Sequence, residues 1–423
     1  MALAIWFLAG LADDPSLAQK AEQFRTALHE RHLAPEGLVL YRISLSSAER
    51  DIASGNYPLL ADTPTFTGLY AATSCARARV ESDPAQALAD ARSALGGLRL
   101  LLDVTGVRGL LARGVVRDQG LAALPALDGR GRWAAGAAGF ERYAYRSDVS
   151  ADQYANGLLP AVAECAELFP EQTRRLIVDF AEHLLANEMQ LVDARGNRTR
   201  FGDLSWRSGL GLNSIYQLTA YAALALAAKL DGDPRFERAR NSLRDVYRVA
   251  ARARRTNLRV FGITNYSNDL MAWNLYRVLI PLARAEADPA LPELRHGMHR
   301  AWLRVRGDGN PYFAAVFCRI EPESCDPTAL ARGLQVLRAF PLDKRKIVRS
   351  PEQLQALSRH WLPGRKWKPR ARSLVPMALR PVSSFEWKSS PYRVEGGELP
   401  DTEYTGLDFL SAYWLYRSLP AAP

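Results

Sequence analysis

The chain has 423 residues, of which 48% are hydrophobic and 24% charged, with a formal net charge of +10. Those proportions exclude a disordered or fibrous chain and supply enough apolar side chains for a large core. The positive balance favours acidic partners without dictating a fold, and no stretch reaches the about 20 apolar residues that a membrane-spanning helix needs.

In chain order, residues 2–12 are apolar and run into Asp13-Asp14. They have the apolar core and small-residue end of a secretion signal without its basic leader, which leaves two readings, a signal-like segment or a buried N-terminal one. Residues 15–32 place Ala, Leu and Phe at helical spacing and predict an outer helix. An extended stretch over 38–44 follows.

From there a pattern repeats. Six times a short segment rich in Asp, Asn, Ser, Thr, Gly and aromatics leads into a long apolar stretch. These lead-ins are Asp62-Thr-Pro-Thr-Phe-Thr-Gly-Leu-Tyr70, Tyr145-Arg-Ser-Asp-Val-Ser-Ala-Asp-Gln-Tyr154, Asp203-Leu-Ser-Trp-Arg-Ser-Gly, Thr264-Asn-Tyr-Ser-Asn-Asp-Leu-Met-Ala-Trp273, Gly309-Asn-Pro-Tyr-Phe313 and Asp401-Thr-Glu-Tyr-Thr-Gly-Leu-Asp-Phe409. Four of the apolar stretches end in an Asp-Pro hinge, at Ser82-Asp-Pro84, Gly232-Asp-Pro234, Ala287-Asp-Pro289 and Cys325-Asp-Pro327, and Phe169-Pro170-Glu171 makes a fifth. An Asp before Pro can cap the helix that follows, and the Pro sits where its missing N–H costs nothing.

Stretches such as residues 215–228 are apolar on nearly every face, as expected of helices surrounded by others, whereas the helices after the hinges carry one apolar stripe. The alternation predicts inner helices over 64–80, 151–168, 209–230, 266–286, 311–320 and 404–418. Outer helices are predicted over 15–32, 84–104, 171–192, 234–253, 289–306 and 327–340. The expected fold is all-α, a single (α/α)6 toroid of six hairpins over residues 1–423. Two long insertions, 105–150 and 341–400, join an outer to an inner helix and so belong to the lead-in face, where long loops are usually functional.

The lead-in face collects carboxylates, flat aromatics and amides, the groups that stack on and hydrogen-bond a sugar. Asp62, Asp148 and Asp152 are the candidate catalytic residues, because two carboxylates flanking a glycosidic bond divide acid and base work. Asp148 and Asp152 share a face if the helix already includes Asp148. Arg113, Tyr70, Tyr143, Tyr145, Tyr154, Trp206, Asn265, Tyr266, Asp269, Trp273, Tyr404 and Asp408 are the candidate substrate-binding residues. The bland reading of each Asp is a helix cap, which leaves the accompanying Tyr and Trp without an explanation.

All six histidines fall outside the lead-ins, which ranks down a His triad or metal site, and no phosphate-cradling Gly motif is present. No cofactor or metal is implied. The basic run Arg365-Lys-Trp-Lys-Pro-Arg-Ala-Arg372 reads as an exposed linker, and no nucleic-acid partner is expected. Cys75 and Cys165 read as buried thiols, while Cys318 and Cys325 flank a hairpin and are placed to pair in an oxidising compartment.

The first, second and sixth lead-ins and the Asp-Pro hinges resemble those of the six-hairpin, (α/α)6-toroid group of carbohydrate-active proteins, with a loose similarity to unsaturated uronyl hydrolases. The resemblance implies that Asp62 and either Asp148 or Asp152, at the mouths of neighbouring inner helices, do the acid and base work. A histidine that often neighbours the first Asp in that group is absent here. The resulting expectation is a glycoside hydrolase acting on a poly- or oligosaccharide, in a periplasmic or secreted location with cytoplasmic as the alternative. Two other readings stand beside it: a uronate lyase or epimerase pairing Tyr143, Tyr145 or Tyr266 with Arg113, and a non-catalytic glycan-binding protein.

Overall fold

The computed structural model describes residues 14–45, 61–118, 121, 133–208, 214–256, 265–350, 352–353, 356, 371, 373–397 and 399–419. Residues 2–12, the first five residues of the helix expected over 209–230 and nearly all of the basic run at 365–372 lie outside the described residues.

The molecule is mostly helical. Among the described residues, two kinds of helix, six of each, alternate along the chain. The apolar series is α2 (Thr63–Ala78), α4 (Ala151–Gln153, a π turn Tyr154–Leu158, then Leu159–Cys165), α6 (Ser214–Asp231), α8 (Tyr266–Ala285), α10 (Pro311–Ile320) and α12 (Leu407–Arg417). The flanking series is α1 (Pro15–Arg31), α3 (Ala85–Asp103), α5 (Pro170–Ala186), α7 (Pro234–Asn241), α9 (Leu291–Val305) and α11 (Pro327–Arg338). In the apolar series nearly every residue is buried, as in α2 from Thr63 to Ala76. In the flanking series one stripe is buried, for example Leu176, Ile177, Phe180, Ala181 and Leu184 on α5.

Each apolar helix packs on the next, α2 on α4, α4 on α6, α6 on α8, α8 on α10 and α10 on α12, and α12 packs back on α2. The flanking helices lie against them, α3 on α2, α5 on α4, α7 on α6, α9 on α8, α11 on α10 and α1 on α12. At the hinges Asp83, Asp233, Asp288 and Asp326 each accept, through Oδ1, the N–H two residues on, at 2.8 to 3.1 Å. The outer helix predicted over 234–253 is broken instead: α7 passes into a π turn, Ser242–Val246, and a 3-10 helix follows at Ala250–Arg255, with Arg248 between them at φ 51°.

Among the described residues, three small antiparallel sheets interrupt the helices. β1 (Arg42–Ser44) pairs with β7 (Thr402–Tyr404), Arg42 opposite Tyr404. Within the first insertion, expected only as a loop, β2 (Gly114–Arg117) and β3 (Trp133–Ala135) flank β4 (Tyr143–Arg146). β5 (Gln190–Val192) and β6 (Arg198–Asp203) form a hairpin after α5.

Two features lock α2 to α4. Near their N-terminal ends they cross at glycines, where a Cβ on Gly157 would lie 2.3 Å from the Pro64 carbonyl oxygen and one on Gly68 would lie 2.3 Å from the Gly157 carbonyl. At their C-terminal ends Cys75 and Cys165 form a disulfide, so they are not the buried thiols expected from the sequence. Both cysteines sit in fully buried positions on adjacent helices, which brings their Cα atoms to 5.5 Å. A second disulfide joins Cys318 to Cys325 across the end of α10.

Also at the C-terminal end, the Glu164 carboxylate gathers guanidiniums from three other apolar helices. It accepts from Arg79 Nη1 at 2.8 Å, Arg277 Nη2 at 2.6 Å and both Arg319 Nη atoms at 3.0 and 2.8 Å. Burial alone would raise the Glu164 carboxyl; Arg277, Arg319 and Arg79 outweigh it and hold the group well below the usual carboxylate range. From Arg277 a buried chain of hydrogen bonds runs through Tyr312 Oη and Asn274 to Asn156 in the π turn of α4.

Removing this carboxylate leaves buried guanidiniums uncompensated, so Glu164→Ala is expected to cost about 3–5 kcal/mol in denaturant unfolding. A depressed folded pKa makes the contribution fully present above the unfolded glutamate value of about 4.3 and lost only as pH falls through the lower folded value. The Glu164→Ala penalty should therefore be flat from about pH 5 to 8. Gly157→Ala should destabilise strongly, whereas Gly96→Ala, where an added Cβ meets nothing within 4 Å, should stabilise α3 by about 0.5–1 kcal/mol; equal unfolding midpoints for the two variants would contradict the close crossing.

Candidate functional site

The start of α2 sets the site. Asp62 occupies the cap position, yet its side chain makes no capping hydrogen bond. Its Oδ1 instead accepts from Arg113 Nη2 at 3.3 Å and Gln153 Nε2 at 3.1 Å. Arg113 comes from the turn before β2, where its backbone N–H donates to the Arg146 carbonyl at the end of β4. Its side chain also donates to the Ala61 carbonyl at 2.8 Å and the Asp148 carbonyl at 3.4 Å. The first insertion thus delivers the guanidinium, and the β2–β4 pairing holds it in place.

Gln153 is fully buried and faces both ways. Its Nε2 donates to Ala61 and Asp62, while its Oε1 accepts from the backbone N–H and the hydroxyl of Ser150. Ser150 Oγ also bonds Asp152 Oδ1, its single proton shared between the two acceptors. One connected set of hydrogen bonds therefore runs from Asp62 to Asp152. Asp148 joins it through its backbone, but the expectation that Asp148 and Asp152 share a helix face fails: α4 begins at Ala151, and Asp148 lies ahead of it at φ 65°, in the left-handed region that few non-glycine residues adopt. The Asp148 carboxylate turns to the β5–β6 hairpin and accepts the Arg200 N–H at 2.8 Å.

The second insertion adds a cation that the sequence did not single out. A 3-10 turn, Glu386–Lys388, brings Lys388 Nζ to 4.0 Å from Asp62 Oδ2 and 5.6 Å from the centre of the Phe66 ring. Phe385 sets its edge on Phe66 and Tyr312. Asp408 anchors the turn. It accepts Lys344 Nζ at 2.7 Å and the Glu386 N–H at 3.0 Å, and its carbonyl accepts Trp387 Nε1 at 2.6 Å. Asn310 Nδ2 donates to the Trp387 carbonyl, and Tyr266 and Tyr392 both donate to Asp308. Burial pushes the Glu386 carboxyl up despite nearby Arg380.

Several residues expected to bind substrate are otherwise engaged. Tyr154 is buried, stacked on Phe180 at 3.9 Å, with its hydroxyl donating to Gly109 and accepting from Leu111, so it cannot face a ligand. Trp273 is fully buried against Phe313. Tyr70 turns towards α1 and meets His29 Nε2 at 3.1 Å. Asn265 caps α8 by accepting from Ser267 and Asn268. Asp408 is the anchor described above, and Asp269 and Tyr404 are buried.

Tyr143, Tyr145 and Tyr266 make no hydrogen bond to Arg113 among the described residues. Burial raises the pKa of all three, with Glu36 adding to the effect at Tyr143, Asp193 at Tyr145 and Asp308 at Tyr266. Trp206 stays exposed and stacks on Tyr247 at 4.9 Å.

The structure thus brings together Asp62, Arg113, Asp148 and Asp152 with Gln153, one of the amides of the lead-in segments, and adds Lys388. Gln153 had a local signal, a Gln three residues after a Ser at a helix start. Lys388 had none, since its position depends on contacts with helices far away in sequence. Among the described residues no group of three or more His, Cys, Asp or Glu is placed to hold a metal ion, and no helix is long and apolar enough to cross a membrane. Comparison of the chain with protein-family models, with curated proteins and with solved structures returns no match.

Proposed function

We propose that the chain is a glycoside hydrolase built as an (α/α)6 toroid, with Asp62 and Asp152 as its acid/base pair at the lead-in face. The toroid reading is supported by the closed succession of contacts in which α12 packs back on α2. The observation that carries the functional reading is the carboxylate of Asp62: it stands where a helix cap belongs, makes no capping bond, and is held instead by Arg113 and Gln153 with Lys388 beside it.

A carboxylate that accepts from two donors is fixed in direction and suits the base that activates water. Asp152, linked to it through Gln153 and Ser150, is the second carboxylate of the pair. Arg113 and Lys388 favour a substrate carrying negative charge. The tyrosinate needed for elimination is disfavoured by the raised pKa of each candidate tyrosine. A purely binding protein gives no reason for acids and cations to be wired together in this way. Two disulfides support a periplasmic or secreted location.

Incubation with neutral and acidic polysaccharides should release reducing ends without the absorbance of unsaturated products. Asp62→Asn and Asp152→Asn should each lower that rate by about 100-fold or more while leaving the unfolding midpoint nearly unchanged; full activity in both variants refutes the assignment. Asp408→Asn should behave oppositely, destabilising by about 3 kcal/mol because it leaves the buried Lys344 ammonium without its partner.

A further inference from the structure

Outside the Asp62 network, a group of exposed arginines lies on the β5–β6 hairpin and the turn after it. Arg195, Arg200 and Arg207 are exposed, and among the described residues no carboxylate forms an ion pair with their guanidiniums. Some exposed arginines elsewhere are paired, as Arg235 is with Glu182 and Asp233, Arg174 and Arg175 with Glu171, and Arg295 with Glu321. The same hairpin and turn expose two large rings, Phe201 at 46% and Trp206 at 37%. Arg200 lies 4.9 Å from the Phe201 ring centre and Arg207 lies 5.0 Å from that of Trp206.

This surface is built and firmly attached. Trp206 stacks on Tyr247 with 9° between their planes, and its carbonyl accepts from Gln217 and Arg252. It is also continuous with the candidate site, because the Arg200 N–H donates to the carboxylate of Asp148. Flat rings offer stacking area to the C–H face of a sugar, and a guanidinium fork matches a carboxylate or sulfate in two-point geometry.

We infer that the β5–β6 hairpin and the Trp206–Arg207 turn form an extended platform that takes further residues of an acidic polysaccharide, carrying uronate or sulfate groups, beyond the sugar held at Asp62. The inference rests on the glycan reading above and deepens it: the substrate is a charged polymer rather than a short or neutral saccharide. The platform acts by binding, so it is separable from the chemistry.

The test uses the Asp62→Asn protein, which keeps the platform, and measures its dissociation constants for long polygalacturonate, chondroitin sulfate, trigalacturonate, dextran and an oligothymidylate. Tight binding of the first or second, weakening with salt, is expected, and which of the two binds tells uronate from sulfate recognition. Adding Phe201→Ala, or Arg200→Gln with Arg207→Gln, should weaken binding of the charged polymer about tenfold and of trigalacturonate less than about twofold. Unchanged polymer affinity in those variants overturns the platform, as does equal binding of dextran or of the oligothymidylate. If polymer binding depends on these residues while the unaltered protein releases no reducing ends, the platform stands and the hydrolase reading falls.

Discussion

The charge cluster on Glu164 is the constraint on which the arrangement depends. One buried carboxylate on α4 meets guanidiniums from the end of α2, from α8 and from α10. Desolvating such groups is costly, and the cost is offset only when every partner is in place. The cluster therefore discriminates among arrangements of the helices more than it adds net stability. With the C-terminal ends of four apolar helices specified in this way, their starts are specified too, and those starts carry the candidate site.

The other end of the helices is organised by different means. Glycines let the backbones of α2 and α4 approach until no Cβ fits between them, and that approach is what allows Gln153 to reach both Ala61 and Asp62. The two insertions then act as struts. One is a sheet that presents Arg113; the other is a turn pinned to the buried Asp408–Lys344 pair that presents Lys388. Polar groups that look expensive to bury, Glu386 and Asp408 among them, hold irregular backbone over the helix starts, where repetitive hydrogen bonding is absent.

Much of the helical order was legible in the sequence, because the Asp-Pro hinges and all-round apolar stretches are local signals with local causes. Each hinge Asp does bond the N–H two residues on, as its position before Pro suggested. The site was legible only in part. Asp62 and Asp152 stood out by their positions ahead of helices, but Tyr154 and Trp273 stood out for the same reason and are core residues. A tyrosine hydroxyl satisfied by the Gly109 carbonyl and one turned to a ligand look alike in sequence. Nor could spacing reveal that Cys75 and Cys165 face each other, or that Lys388 returns to Asp62, since both depend on how helices distant in sequence come together. The left-handed Asp148 is a further case: its backbone conformation breaks the four-residue face argument that an uninterrupted helix would have supported.

The pairing of β1 with β7, and of α12 with both α1 and α2, has a consequence for how the molecule is made. A ribosome releases Arg42 and Thr63 long before it releases Thr402 and Leu407, so α1 and α2 wait with one flank uncovered until α12 emerges. Closure is a late, long-range event whose loop entropy must be met before its contacts form, which slows folding relative to a bundle of local hairpins. The Cys75–Cys165 bridge spans 90 residues, all of them synthesised before Thr402, and can hold α2 and α4 together during that interval. It thereby serves as a clasp on the opening segment while the closing one is still being synthesised.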